Sequence, residues 1–438
     1  YNTQQLQDID GQHHIHPFTD HKALMEKGAR IITHADGVYL WDSDGNKILD
    51  GMAGLWCVNV GYGRQELVDA ATNQMQELPY YNNFFQTTHP PAIELSKALV
   101  DISPPQFNHV FFTNSGSEAN DTVVRMVRHF WTLEGKPEKT VIVSRKNVYH
   151  GSTVAGSSLG GMKGMHAQGG ILHDIEHIAQ PYWYRSGSEL DPEEFGLKTA
   201  QALEIRIREI GEDRVAAFIA EPVQGAGGVI VPQEDYFKRI REICDQYEVL
   251  LVADEVITGF GRTGKMFGLE HWGIEPDLIQ FAKAITSGYF PLGGIGISDE
   301  IASVMNDSGS PWMHAYTYSS HPVGCAVALA MMDIIENEDF VGQAQTKGKH
   351  LLVKLKEALA DHPHVGEVRG LGMMCGVELV KDKATKEMFD ASDGIGAKVH
   401  GETVKRGMFS RVRGDCYCVA PPIVTSESTL DDIASILG

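Results

Sequence analysis

The chain is short of positive charge: 37 Lys plus Arg stand against 58 Asp plus Glu, a formal net charge of -21 over 438 residues. Long-range attraction to nucleic acid or to an anionic membrane is thereby excluded as a basis for binding, and a small-molecule partner is expected. Long apolar runs are missing too. No tract of about 18 apolar residues occurs and no secretory pattern is found, so a soluble, cytoplasmic protein is expected. Cysteine is scarce. Of the six, Cys57, Cys244, Cys325 and Cys375 lie far apart, which fits a reducing compartment and neither a zinc ribbon nor a disulfide framework. Cys416 and Cys418, two apart on an apparent strand, are expected to point to opposite faces. The N-terminal HHIH (His13, His14, His16) has no second ligand cluster spaced to complete a site, so it reads as a solvated arm and no metal is expected. No internal repeat or low-complexity linker is present. No G-x-G-x-x-G opens a helix after an early strand, which argues against a nicotinamide-binding enzyme.

What is present is a chain long enough for one large domain and a smaller one. From about residue 65 to 320, short β-rich runs (HVFFTN, TVIVSR, AAFIAEP, VLLVADE, LIQFAK, GGIGIS) alternate with helical patterns. That alternation predicts an α/β domain with a mainly parallel sheet covered on both faces by helices. Residues 1–64, with VYLWDSDGNKILDG, read as a hairpin or two turning at Asp44 and Gly45. Residues 321–438 read as an α+β module that completes the smaller domain with the N-terminal segment. Its last stretch, STLDDIASILG, is expected to be a helix that continues past Gly438.

Ligands of open α/β sheets sit beyond the carboxyl ends of the strands, so the strand exits are where chemistry is sought. HVFFTNSGSEAND passes into a helix whose apolar residues Ala119, Val123, Met126 and Phe130 recur at helical spacing. Ser115, Gly116 and Ser117 then lie at its N-terminus, where free N–H groups favour a phosphate; the plainer alternative is an N-cap with Glu118 as a first-turn acid. Other exits carry Tyr149, His150 and Gly151, then Glu221 with Gly225, Gly227 and Gly228, then Asp254, then Lys283. Each alone reads as a turn or a solvated end. An acid and a lysine at successive exits, beside a phosphate cradle and an aromatic ring, supply what pyridoxal phosphate needs: an amine to attach it and a carboxylate for its ring nitrogen.

The motifs TNSGSEAND, YHGST, AEPVQGAGG, ADEVITGFGRTG and AKAITSGYFPLGG, in this order, resemble the class III aminotransferases among the fold-type I pyridoxal phosphate enzymes. The resemblance covers nearly the whole chain. It implies that Lys283 carries the cofactor and moves the proton between cofactor and substrate, and that Asp254 faces the ring nitrogen. It further implies that Tyr149 stacks on the ring and Val256 presses on the opposite face. His150 belongs to the same cofactor set, Ser115, Gly116 and Ser117 hold the phosphate, and Glu221 supports the ring's hydroxyl side. Thr317 in YTYSSHP would reach the phosphate of a neighbouring subunit, implying a homodimer, with association into a tetramer left open. Ala226 stands where ornithine and 4-aminobutyrate enzymes carry a glutamate, which argues against 2-oxoglutarate as acceptor. Leu55, Trp56, Phe84 and Phe85 would supply the pocket, and Arg411 would bind pyruvate's carboxylate, with Arg413 as the alternative. The branch it resembles within the family moves an amino group from putrescine or another polyamine to pyruvate. A β-alanine or other ω-amino acid donor is the alternative, and an aminomutase or decarboxylase on the same fold a distant one.

Overall fold

The computed structural model describes residues 1–187 and 189–438. Its centre is a sheet of seven strands: β1 (Phe107–Thr113), β2 (Val141–Arg145), β3 (Ile175–Ile178), β4 (Val215–Ala220), β5 (Leu250–Asp254), β6 (Leu278–Phe281) and β7 (Gly293–Ser298), in the order β1-β7-β6-β5-β4-β2-β3. All neighbours are parallel except β7, which runs antiparallel to both β1 and β6. Every residue of β4 and β5 is buried, and such strands read as continuous apolar runs because helices cover both faces. Within them the pleat still sorts the side chains. Ile219 and Val252 meet Ala119, Val123 and Met126 of the helix Gly116–Leu133. Phe218 and Leu251 meet Ile207 and Ile240, from the helices Pro192–Ile210 and Tyr236–Gln246. Each fully buried aliphatic side chain contributes about 1.5–3 kcal/mol, so these two layers fix where β4 and β5 end.

The strand β3 escaped the sequence reading because it is a four-residue edge strand, IEHI, with only its outer residues buried. The N-terminal segment forms a meander, Ile32–Asp36, Tyr39–Asp42 and Lys47–Asp50. Its second turn is closed by Asp42, whose Oδ1 accepts the N–H groups of Asp44 at 3.1 Å and Asn46 at 2.9 Å, while Gly45 takes φ +84°. Leu49–Asp50 then pairs in parallel with Met408–Phe409, so residues from both ends of the chain share one sheet. A second four-stranded sheet runs Val365–Gly370, Cys375–Leu379, Cys416–Val419, Arg411–Arg413.

The expectation for Cys416 and Cys418 fails. A strand's side chains alternate with period two, so residues two apart share a face. Both thiols are buried in one cluster with Met52, Trp56 and Ile257. The cysteines of the chain are all unpaired by disulfides.

Candidate active site

The carboxyl ends of β1, β2, β4, β5 and β6 open onto one cavity of about 340 Å³. Ser115, Gly116, Ser117, Tyr149, His150, Glu221, Asp254, Val256 and Lys283 all line it. Leaving β1, the chain turns at Ser115, whose Oγ accepts the N–H of Glu118 at 3.2 Å and caps the helix. The N-cap reading therefore holds, and it leaves the phosphate reading open, because the cap consumes only one of the helix's free donors. Gly116 and Ser117 present theirs at the cavity. A Cβ on Gly116 would lie 2.9 Å from Val256 Cγ2, so the close approach of these two elements requires glycine.

Asp254 ends β5 with all its oxygens engaged. Oδ2 accepts from His150 Nδ1 at 2.7 Å and from Asn120 Nδ2 at 3.3 Å, and Oδ1 accepts the N–H of Val256 at 3.1 Å. Burial alone would push its carboxyl pKa up, but hydrogen bonding and the charge of His150, with Val256 and Asn120, outweigh it and hold the pKa below the ordinary value. An ionised carboxylate thus faces the cavity. His150 Nε2, behind it, is buried without a partner. Glu221 is held differently: its oxygens accept the N–H groups of Tyr149 at 3.2 Å and Gly225 at 2.9 Å, and burial, reinforced by the charge of Asp254, pushes its pKa up.

Lys283 follows β6 with φ +51°, a left-handed conformation in a residue that is not glycine. Burial lowers its pKa, opposed by Asp254 and Glu221 and assisted by Arg411. A lowered lysine pKa supplies the neutral amine that attacks a carbonyl.

Other expected residues lie elsewhere. Leu55 lines the cavity, but Trp56 is buried behind its wall, packed on Ile257 and Met374. Ala226 is buried in the turn after Glu221 and does not line the cavity. Phe84 and Phe85 border a separate groove with Trp312 and Met313, Phe85 being 92% exposed. Thr317 is exposed, its carbonyl accepting from Tyr80 Oη at 2.7 Å, and stands outside its own chain's cavity. Arg411 and Arg413 line an adjoining groove of about 1030 Å³. Arg413 donates to Asn147 Oδ1 at 2.9 Å, whereas Arg411 makes no ion pair among the described residues. Asn120, Cys57, Thr286 and Phe290 also line the cavity and were missed. For Asn120 a signal existed: it is a polar residue beside Ala119 on the buried face of an otherwise amphipathic helix.

A lysine, a held carboxylate and a helix N-terminus around one cavity define an enzyme that works through a bound aldehyde cofactor carrying a phosphate. Residues 23–438 match the family Aminotransferase class-III, and the chain belongs to that family. It is 54% identical over 435 residues to the putrescine--pyruvate aminotransferase of Pseudomonas aeruginosa, covering 99% of this chain and 95% of that one. It is 40% identical to the diaminobutyrate--2-oxoglutarate transaminase of Halomonas elongata, covering 93% and 88%. Among solved structures, an (S)-enantioselective omega-transaminase from Thermomicrobium roseum superposes with a TM-score of 0.97 at 42% identity, covering 100% of this chain and 98% of that one. The omega transaminase of Pseudomonas jessenii in complex with PMP gives 0.97 at 39% identity, covering 99% and 96%. The fold is that of the fold-type I enzymes and the cofactor is pyridoxal phosphate. The groups present fit it: the free N–H groups of Gly116 and Ser117 suit its phosphate, Asp254 its protonated ring nitrogen, and Lys283 its aldehyde.

Proposed function

We propose that the protein transfers the amino group of putrescine or a related polyamine to pyruvate, releasing an aminoaldehyde and then alanine, in a cytoplasmic homodimer. The observation that carries the reading is the placement of Lys283 and the Asp254–His150 pair around one cavity, in a chain 54% identical to a putrescine--pyruvate aminotransferase. The cofactor supplies the aldehyde that receives the amino group and a cationic ring that draws electrons from the substrate carbon. Asp254, kept ionised, favours the protonated ring. Lys283, its pKa lowered by burial, would take the proton from the substrate carbon and return it. Tyr149 and Val256 confine the ring from its two faces. Ser115, Gly116 and Ser117 anchor the phosphate, and Glu221 orients the hydroxyl side.

Arg411 is the residue for pyruvate's carboxylate, since Arg413 is already bonded to Asn147. Support for the dimer comes from the exposed apolar patch of Tyr80, Phe85, Met313 and Tyr318, which one chain leaves uncovered and which holds Thr317. Residues 65–320 are read as the cofactor domain, and 1–64 with 321–438 as the smaller one, on the strength of their shared sheet.

The test is the visible spectrum of the cofactor-loaded protein. Putrescine should bleach the band and pyruvate should restore it, with alanine formed. Bleaching by β-alanine and not by putrescine would transfer the enzyme to the ω-amino acid donors. Lys283→Ala should lower turnover by about 10³-fold or more; retention of turnover would refute the assignment.

A further inference from the structure

The fold assembles a ligand set that the sequence leaves dispersed. The helix Thr3–His13 ends so that Asp10, one turn back, reaches both histidines that follow. Its Oδ1 lies 3.0 Å from His14 Nδ1, and its Oδ2 lies 2.7 Å from His16 Nε2. The three ligand atoms all fall within 4.8 Å of one another. His13, by contrast, is not part of the cluster.

We propose that Asp10, His14 and His16 bind a divalent transition cation of the zinc type, with water completing its coordination. Two imidazoles and a carboxylate are the donors such ions prefer, and ligands about 2.0–2.2 Å from a tetrahedral centre stand a little over 3 Å apart. Asp10 Oδ1 stands 3.0 Å from His14 Nδ1 and 2.9 Å from His16 Nε2, so each of these separations needs to widen by about 0.3–0.7 Å. The sequence argued against a metal because no second ligand cluster was spaced to complete a site. The missing ligand comes instead from the preceding helical turn. The site is solvent-accessible, with His14 61% and His16 24% exposed, so a cation can enter without unfolding the arm. It has a reach beyond itself: His16 borders the groove lined by Arg411, and Phe18, two residues on, stands edge-on to Tyr149 with ring centroids 6.2 Å apart. A cation here would pin the segment that carries Phe18 against Tyr149.

The experiment uses the cofactor-loaded protein stripped with a chelator, titrated with Zn²⁺ against a chromophoric competitor, and separately with Co²⁺ for its visible ligand-field bands. One ion per chain is expected. Losing a ligand costs more than losing a group behind one, so Asp10→Asn and His16→Ala should each weaken binding more than about 10-fold. The double variant His362→Ala/His364→Ala, which removes another exposed histidine pair, should bind as the parent does. Asp10→Asn keeps the size of the side chain and guards against loss of the arm's fold. Binding unaffected by Asp10→Asn and His16→Ala, or no binding below millimolar Zn²⁺, would overturn the proposal. Turnover with putrescine and pyruvate reads the aminotransferase assignment independently of either result.

Discussion

Lys283 carries two costs at once, a buried amine and a left-handed backbone. The second is of order 1–3 kcal/mol for a residue that is not glycine. The first has a definite pH signature. Its folded pKa lies below the ordinary 10.5 of the unfolded chain, so the unfolded state binds more protons between the two values and stability rises with pH across that window. Urea unfolding of the cofactor-free protein should show this alkaline gain. In Lys283→Met the gain should vanish, and at neutral pH the variant should be more stable by about 1–2 kcal/mol, since an apolar group replaces an amine in a buried place. For Asp254, also lowered, stability again rises with pH but in the acid range, its contribution being lost as the pH falls from the ordinary 3.8 through the folded value. In the proposed mechanism His150 positions that carboxylate, to which its Nδ1 is hydrogen-bonded at 2.7 Å. His150→Ala should lower turnover about 100-fold while the cofactor stays attached to Lys283, and the pH below which turnover fails should move upward. The meeting of Lys283 and Asp254 at one cavity was legible because each stands at a strand exit. The contact of His150 with Asp254 was not, since it joins residues 104 positions apart.

At the scale of elements, the cradle depends on a crossing of two turns. Gly151, at φ +120°, passes over Ser117 so closely that a Cβ would lie 2.6 Å from its Oγ and 2.8 Å from its Cα. Gly151→Ala should displace the first turn of the helix Gly116–Leu133 and weaken cofactor binding by about 10-fold or more, at a strain of order 1–3 kcal/mol. A spectroscopic titration with pyridoxal phosphate reads it directly. The sequence pointed to this turn through its motif but not to the reason, which is a backbone approach between separate elements. Strands with short, mostly apolar runs were legible. The edge strand β3 was not, since four residues with a charged centre carry little period, and the antiparallel direction of β7 is a matter of connection and not of composition. The cysteine pair was misjudged by arithmetic: the period of a strand is two.

Across the whole molecule, Arg262 ties the loop that follows Asp254 to both ends of the chain. Fully buried, it donates to the carbonyl oxygens of Pro421 at 2.6 Å and Met373 at 3.3 Å, and to Asn59 Oδ1. Desolvation lowers its pKa to about 10, so the guanidinium is held by acceptors and not by a counter-ion. Arg262→Met would strand these acceptors and should cost about 2–4 kcal/mol in urea unfolding. The GFGRTG turn was legible as glycine-rich, but its partners lie on segments far along the chain, beyond the reach of any local pattern. No helix among the described residues is long and apolar enough to cross a membrane.

One buried ring turns the cavity into an optical instrument. Trp56 is 1% exposed, lies between Leu55 and Cys57 of the cavity lining, and packs on Ile257. Its emission overlaps the near-ultraviolet absorption of a bound pyridoxyl ring, so excitation should pass from indole to cofactor across a single side-chain layer. The chain has 6 tryptophans, and Trp56→Phe would isolate the contribution of this one. Each transfer of an amino group changes the cofactor's absorption, and the quenching with it, so the enzyme carries its own donor dye for following turnover in real time.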